Sequence, residues 1–197
     1  MASTLGFLTK STASKRTLCL VSILSAVAHQ PFLPVARRSI RVPLIIHDPR
    51  MKDEQRGTEI NALTLNVDLA PTILGFAGLP KPEPMMGRNM APLYLGGDGA
   101  GARGGQVSWR KEFFYEHPII GNQRYIPASE ALVRRDYKYM YWPNYGFEQL
   151  FNLVHDPGEM EDIINSTDPE IVAIKKDMKK RFEQLKGLVK SDGVVTV

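Results

Sequence analysis

At 197 residues, with 43% hydrophobic and 23% charged side chains, the chain has a globular composition and is long enough for one ordinary domain or part of a larger one. Its net charge of +4 is local: residues 1–50 hold seven Lys/Arg (Lys10, Lys15, Arg16, Arg37, Arg38, Arg41, Arg50) against Asp48 alone, leaving 18 basic and 20 acidic residues, a balance of −2, beyond them. The near-neutral body excludes a nucleic-acid partner, the single Cys19 excludes an internal disulfide and a multi-cysteine zinc site, and no run of 18 apolar residues marks a membrane span.

Lys10, Lys15 and Arg16 precede the apolar run Leu18–Val27 and an Ala26-Val27-Ala28 end, the layout of a secretory signal peptide over residues 1–28. A transit peptide to an organelle and a mis-assigned first exon remain open beside it. Residues 1–38 are therefore expected to be leader and linker, ending in Pro31, Pro34 and Arg37-Arg38. Asn165-Ser166-Thr167 is a weak N-glycosylation signal at Asn165 that agrees with secretion.

Val42-Pro43-Leu44-Ile45-Ile46 is a continuous apolar run that suits a strand buried on both faces, with Pro43 near its start. Asp68 is placed to cap a short helix through Ala77, with Pro71 in its first turn, Gly78 as its stop and Leu69, Ile73 and Phe76 on one face. Strand followed by helix is an α/β pattern. Gly96–Gly105 carries six glycines in ten residues without the Gly-Lys-Ser/Thr ending of a phosphate loop, so a surface loop is expected. Phe113-Phe114-Tyr115, Ala131-Leu132-Val133 and Tyr137–Trp142, which alternates around Lys138, suggest antiparallel strands, and Leu150–Leu153 adds another. Asp168-Pro169-Glu170 opens a helix along which Ile171, Ile174, Met178, Phe182, Leu185 and Leu188 recur at spacings of three and four. Its other face is basic (Lys175, Lys176, Lys179, Lys180, Arg181), which is an ordinary solvated face or, less simply, a surface for sulfated glycan.

Five stretches in order resemble the sulfatase family of the alkaline-phosphatase-like superfamily. They are Ser39–Ile46; Asn66–Leu74 with Ala77-Gly78-Leu79-Pro80 and Met86-Gly87-Arg88; Trp109–His117; Ile126–Arg134 with Asp136–Tyr139; and Glu148–Leu153 with Asp156-Pro157 and Glu159. The Tyr-Glu-His and Pro-x-Ser-Glu patterns are most similar to glycan sulfatases of the N-sulfoglucosamine/heparan type. Asn152 stands where the family usually has Asp, Asp162 where it usually has Asn, and one extra residue lies between Leu132 and Arg134. The resemblance implies the edge of an alkaline-phosphatase-like α/β sheet (39–95), a Gly-rich loop (96–108), and a small C-terminal antiparallel sheet packed by a C-terminal helix (109–190), with a tail at 191–197.

It also implies sulfate-ester hydrolysis of a sulfated carbohydrate by a formylglycine nucleophile, made from Cys/Ser-x-Pro-Ser-Arg, beside a calcium ion. This chain offers neither. Cys19-Leu20-Val21-Ser22-Ile23 lacks the proline and arginine, and no Asp-Asp pair begins a metal site, so no catalytic residue, metal ligand or cofactor is assigned within these residues. The missing N-terminal catalytic half is the expected packing partner. Of the histidines, His29 falls in the leader, and His47-Asp48 and His155-Asp156 suit loop ends. His117 with Arg124 is the candidate contact to an anionic sugar; Ser129-Glu130 suits a cap or turn. Two alternatives stay open: a non-catalytic glycan-binding or interaction module derived from a sulfatase, and a phosphodiesterase or phosphatase of the same superfamily.

Overall fold

The computed structural model describes residues 20–23, 40–95, 108–117 and 127–191. The chain divides into two compact units, one of Met1–Ala26 with Val42–Arg110 and the other of Val27–Arg41 with Lys111–Val197.

In the first unit, β1 (Leu20–Ile23) pairs antiparallel with β2 (Leu44–His47), Leu20 opposite His47 and Ile23 opposite Leu44. Residues 20–23, which the sequence places in the leader, are paired here as a strand. Within this chain β2 has one covered face: Leu44 and Ile46 are half-buried against a small core of Met90, Leu93 and Tyr94, whereas Ile45 is 56% exposed. A strand with one covered face must alternate, because successive side chains point to opposite sides. A 3₁₀ turn at Asn66–Asp68 leads into α1 (Leu69–Phe76). The helix stops as the sequence suggests: Gly78 sits at φ 68°, and the amides of Gly78 and Leu79 return to the carbonyls of Gly75 and Leu74.

Its buried face differs from the expected one. Pro71 and Thr72 are buried and Ile73 is exposed, because Thr72 is bonded on both sides: its hydroxyl donates to the Asp68 carbonyl (2.6 Å) and accepts the Met90 amide (2.9 Å). At Gly87 the chain crosses the residues before α1 so closely that a Cβ would lie 1.9 Å from the Val67 carbonyl oxygen. The short α2 (Ala91–Leu95) then seats Leu93 and Tyr94 in the core.

The second unit is a four-stranded antiparallel meander in the order β3 (Glu112–His117), β4 (Ser129–Arg134), β5 (Tyr137–Trp142), β6 (Phe147–Asn152), followed by α3 (Pro169–Ser191). The expected aromatic strands and final helix are all present. The Asp168 carboxylate accepts the Glu170 amide (2.8 Å), which caps α3 at the expected residue. Leu132, Tyr139 and Leu150 face α3, where Met178 and Phe182 are buried and the Phe182 ring lies 5.5 Å from Phe114 and 5.2 Å, edge-on, from Tyr139. The other face gathers Ala131, Val133, Met140, Phe151 and Leu153 with Phe113, Tyr115, Trp142 and Ile40. With apolar partners on both sides, β4 is buried from Ser129 to Val133.

Lys138, around which β5 alternates, is fully buried, and its ammonium is held 2.7 Å from the Glu159 carboxylate. The two departures from the family pattern keep equivalent roles. Asn152 Oδ1 accepts the amides of Val154 and His155, and Asp162 Oδ1 accepts those of Leu150 and Ile164. Asp and Asn both offer an acceptor oxygen there, so either residue serves.

Candidate functional site

His117 ends β3 and stands directly opposite Ser129, the first residue of β4. Residues paired across a ladder project to the same face, so the imidazole and hydroxyl are neighbours on the side of the sheet away from α3. His117 Nδ1 and Ser129 Oγ are both buried, and neither has a hydrogen-bond partner among the described residues. A buried polar atom left unbonded costs about 1–3 kcal/mol, which makes this cross-strand pair the candidate place for a further polar group. An imidazole nitrogen and a hydroxyl can each donate or accept, so the pair suits a hydroxyl or another neutral polar group as well as an anion. Burial alone raises the pKa of Tyr115, two residues before His117 on the same face, which keeps its phenol neutral. Arg124, the other expected substrate contact, lies outside the described residues, as do Cys19 and the Gly-rich loop.

Ser129 and Glu130 are neither cap nor turn; both are buried strand residues, and Glu130 is paired with Lys186, whose ammonium also lies 5.3 Å over the Tyr141 ring. A position between two packed layers favours strand, and the side chain of Glu130 is neutralised across to α3 rather than bonded to its own backbone. Asp68 is likewise not a side-chain cap of α1. Its carboxylate accepts the Leu65 and Arg88 amides (both 2.8 Å) and a two-pronged bond from Arg110, whose guanidinium lies 5.2 Å over the Trp109 ring. Burial pushes the Asp68 carboxyl up, but Arg110 and the two amides outweigh it and hold its pKa below the ordinary value.

Asp48 follows the same pattern. It is buried, gripped by the Arg50 guanidinium at 2.6 Å and approached by the Tyr94 hydroxyl at 3.4 Å, and its pKa is lowered against the pull of burial. His47-Asp48 is therefore an anchor, and the acceptor oxygen of Asp156 is taken by the Met160 and Glu161 amides in the turn after His155. Sequence reasoning missed the Asp68 anchor because Arg110 lies 42 residues away, and it missed that Asp48 is buried, since its neighbour Arg50 gives no sign of the approach of Tyr94 from 46 residues on.

The buried carboxylates Asp48, Asp68, Glu130 and Glu159 are each neutralised by a named Arg or Lys, and no three His, Cys, Asp or Glu converge as metal ligands among the described residues. These side chains do not fit a calcium ion, and Cys19-Leu20-Val21-Ser22 does not fit a formylglycine precursor. The basic face of α3 is also largely engaged: Lys175 bonds the Ile164 carbonyl, Lys179 pairs with Glu148, Arg181 with Glu112, and Lys186 with Glu130.

Residues 34–187 match the family model described as N-sulphoglucosamine sulphohydrolase, C-terminal. Among curated proteins, the chain is 26% identical over 149 residues to N-acetylglucosamine-6-O-sulfatase of Bacteroides thetaiotaomicron, an alignment covering 73% of this chain and 25% of that protein. It is 45% identical over 56 residues to the Extracellular sulfatase SULF-1 homolog of Drosophila melanogaster, covering 28% of this chain and 5% of the relative. Among solved structures it resembles BT4656 in complex with its substrate D-glucosamine-2-N,6-O-disulfate, with a TM-score of 0.65 and 25% identity over 77% of this chain and 29% of that one. The chain thus spans about a quarter of the length of the Bacteroides thetaiotaomicron relative.

Proposed function

The chain belongs to the family of N-sulphoglucosamine sulphohydrolase C-terminal regions, and on that premise we propose that it is the C-terminal portion of a sulfatase acting on sulfated carbohydrate. Nucleophile and metal ligands come from sequence outside these 197 residues. In that whole enzyme the family's calcium ion and formylglycine supply the Lewis acid and the oxygen nucleophile. The part played by this chain is to present His117, with Arg124, toward the sugar.

One observation carries this reading: a family match running from residue 34 to residue 187 on a chain equal to about a quarter of a sulfatase relative, in which the buried carboxylates among the described residues are already neutralised. The orphaned Nδ1 of His117 and Oγ of Ser129 support it, since both need a polar partner that the described residues do not provide. The extracellular relative supports the secretory route. The glycan-binding module is the weaker alternative, because most cations of α3 are committed to internal partners. Polymer binding by a cationic surface needs charges that are free to neutralise sulfates.

The deciding experiment is to sequence the transcript upstream of the Ser39 codon. An in-frame Cys/Ser-x-Pro-Ser-Arg with Asp-rich metal motifs is the expected result. A transcript that begins at Met1 overturns the hydrolase reading and leaves the interaction module, which binding to heparin at two salt concentrations then tests.

A further inference from the structure

Asn165-Ser166-Thr167 is the one Asn-x-Ser/Thr triplet in the 197 residues. By itself such a triplet means little, because it arises by chance and is often buried. Here the fold presents it. Ile164 is buried, and the turn at 164–165 leaves Asn165 and Thr167 exposed immediately before α3. The Ser166 amide donates to the Ile163 carbonyl (3.0 Å) and the Asp168 amide to the Ser166 hydroxyl (3.2 Å), so the turn is held by its middle residue. The Asn165 amide and the Thr167 hydroxyl, the two groups an N-glycosylating transferase must engage, make no hydrogen bond among the described residues. The position after the triplet is Asp168; Pro169 comes one later and leaves the triplet's own backbone unrestrained.

We infer that Asn165 is an N-glycan acceptor: its amide nitrogen forms a bond to the first sugar of a lipid-pyrophosphate-linked oligosaccharide as the sugar–phosphate bond breaks, the lipid pyrophosphate leaves and the amide loses one proton. The inference rests on the secretory route proposed above. It also assigns a direction to the small sheet. β6 is an edge strand of the meander, and its central residue Leu150 is already closed by the next segment, with the Ile163 amide on its carbonyl (2.9 Å) and Asp162 Oδ1 on its amide (3.0 Å). A glycan two residues beyond Ile163 makes that edge a permanent water-facing side, as edge strands require if they are not to pair with other chains. Whatever partner supplies the catalytic residues must then approach from elsewhere.

The test expresses the full chain in a glycosylating eukaryotic cell in two forms, once from its own Met1 and once with a proven secretory leader placed ahead of Met1. Peptide-N-glycosidase should remove a discrete mass from the chain and leave Asp at 165, read by mass spectrometry. Asn165→Gln and Thr167→Ala should both abolish the shift, while Thr167→Ser should retain part of it. An unshifted chain recovered from the lumen behind the added leader overturns the acceptor assignment. A shift with the added leader and none from the native start supports the acceptor and overturns the secretory route instead, so the two failures are told apart.

Discussion

The two units solve the same problem unequally. In the second, four strands and one helix bury an apolar layer on each face of the sheet, from Ala131 and Met140 on one side to Leu132 and Phe182 on the other. In the first, a two-stranded sheet and two short helices gather a buried apolar cluster of Met90, Leu93 and Tyr94 among the described residues, while Val42, Ile45, Ile60, Val67, Ile73, Leu79 and Met86 remain exposed. Two paired strands are marginal alone, so the first unit rests on little apolar burial of its own. The first unit is held by polar anchors, Asp48 and Asp68, where the second is held by aromatic packing.

The comparison predicts different breaking points. Phe182→Ala should destabilise the second unit by about 3–5 kcal/mol, because one ring fills the space between Phe114, Tyr139 and Tyr141. Urea unfolding followed by tryptophan fluorescence at Trp142 reports it. Loss of under 1 kcal/mol by this assay would show that α3 does not close the core. Arg110→Met should cost the first unit about 3 kcal/mol by stranding the buried Asp68 carboxylate, with Asp68→Asn/Arg110→Met recovering most of it; a double variant as unstable as the single one refutes the pairing.

Acid should act mainly through the same groups. Asp48 and Asp68 have folded pKa values held below the ordinary 3.8, so their contribution is complete well above pH 3.8, falls as pH drops through that value, and is gone below their folded values. Against the pull of burial, Glu112 of the second unit is also held below its ordinary 4.5 by Arg181 and Arg134, but it is partly solvated. Acid should therefore remove more hydrogen-exchange protection from the first unit, whose two carboxylates are fully buried, than from the core of the second. Equal acid sensitivity of the two would contradict the division between anchors and packing. Glu112→Gln should matter less, about 1 kcal/mol, since Arg134 and Arg181 remain partly solvated. The smallest effect is at Ile45→Thr, within about 0.5 kcal/mol, because that side chain is exposed and threonine suits a strand. Its visible consequence should be improved solubility by light scattering; unchanged aggregation would mean that this face is not what associates.

Much of the second unit was legible in residue order. Runs of aromatics separated by Arg135-Asp136, and the Asp168-Pro169-Glu170 opening of a three-four apolar repeat, are short-range signals that survive any context. The first unit was less legible. The exposed Ile45 and Ile73 carry the same side chains as buried positions, and their faces depend on which neighbours are present. The candidate site was visible only in half: His117 stood out as a histidine at a strand end, whereas Ser129 looked like a turn residue until the register placed it opposite.

From residue order alone came the family, the order of strands and the final helix, the stop at Gly78 and the lack of a nucleophile motif, since each depends on neighbours within a turn or a strand. Tertiary structure alone decided that Lys138 is buried against Glu159, that Asp68 anchors Arg110 rather than capping α1, and that His117 and Ser129 share a face with no partner among the described residues. Those outcomes depend on charges and lone pairs meeting across 21, 42 and 12 residues of chain, distances over which only the packing of whole elements determines what meets.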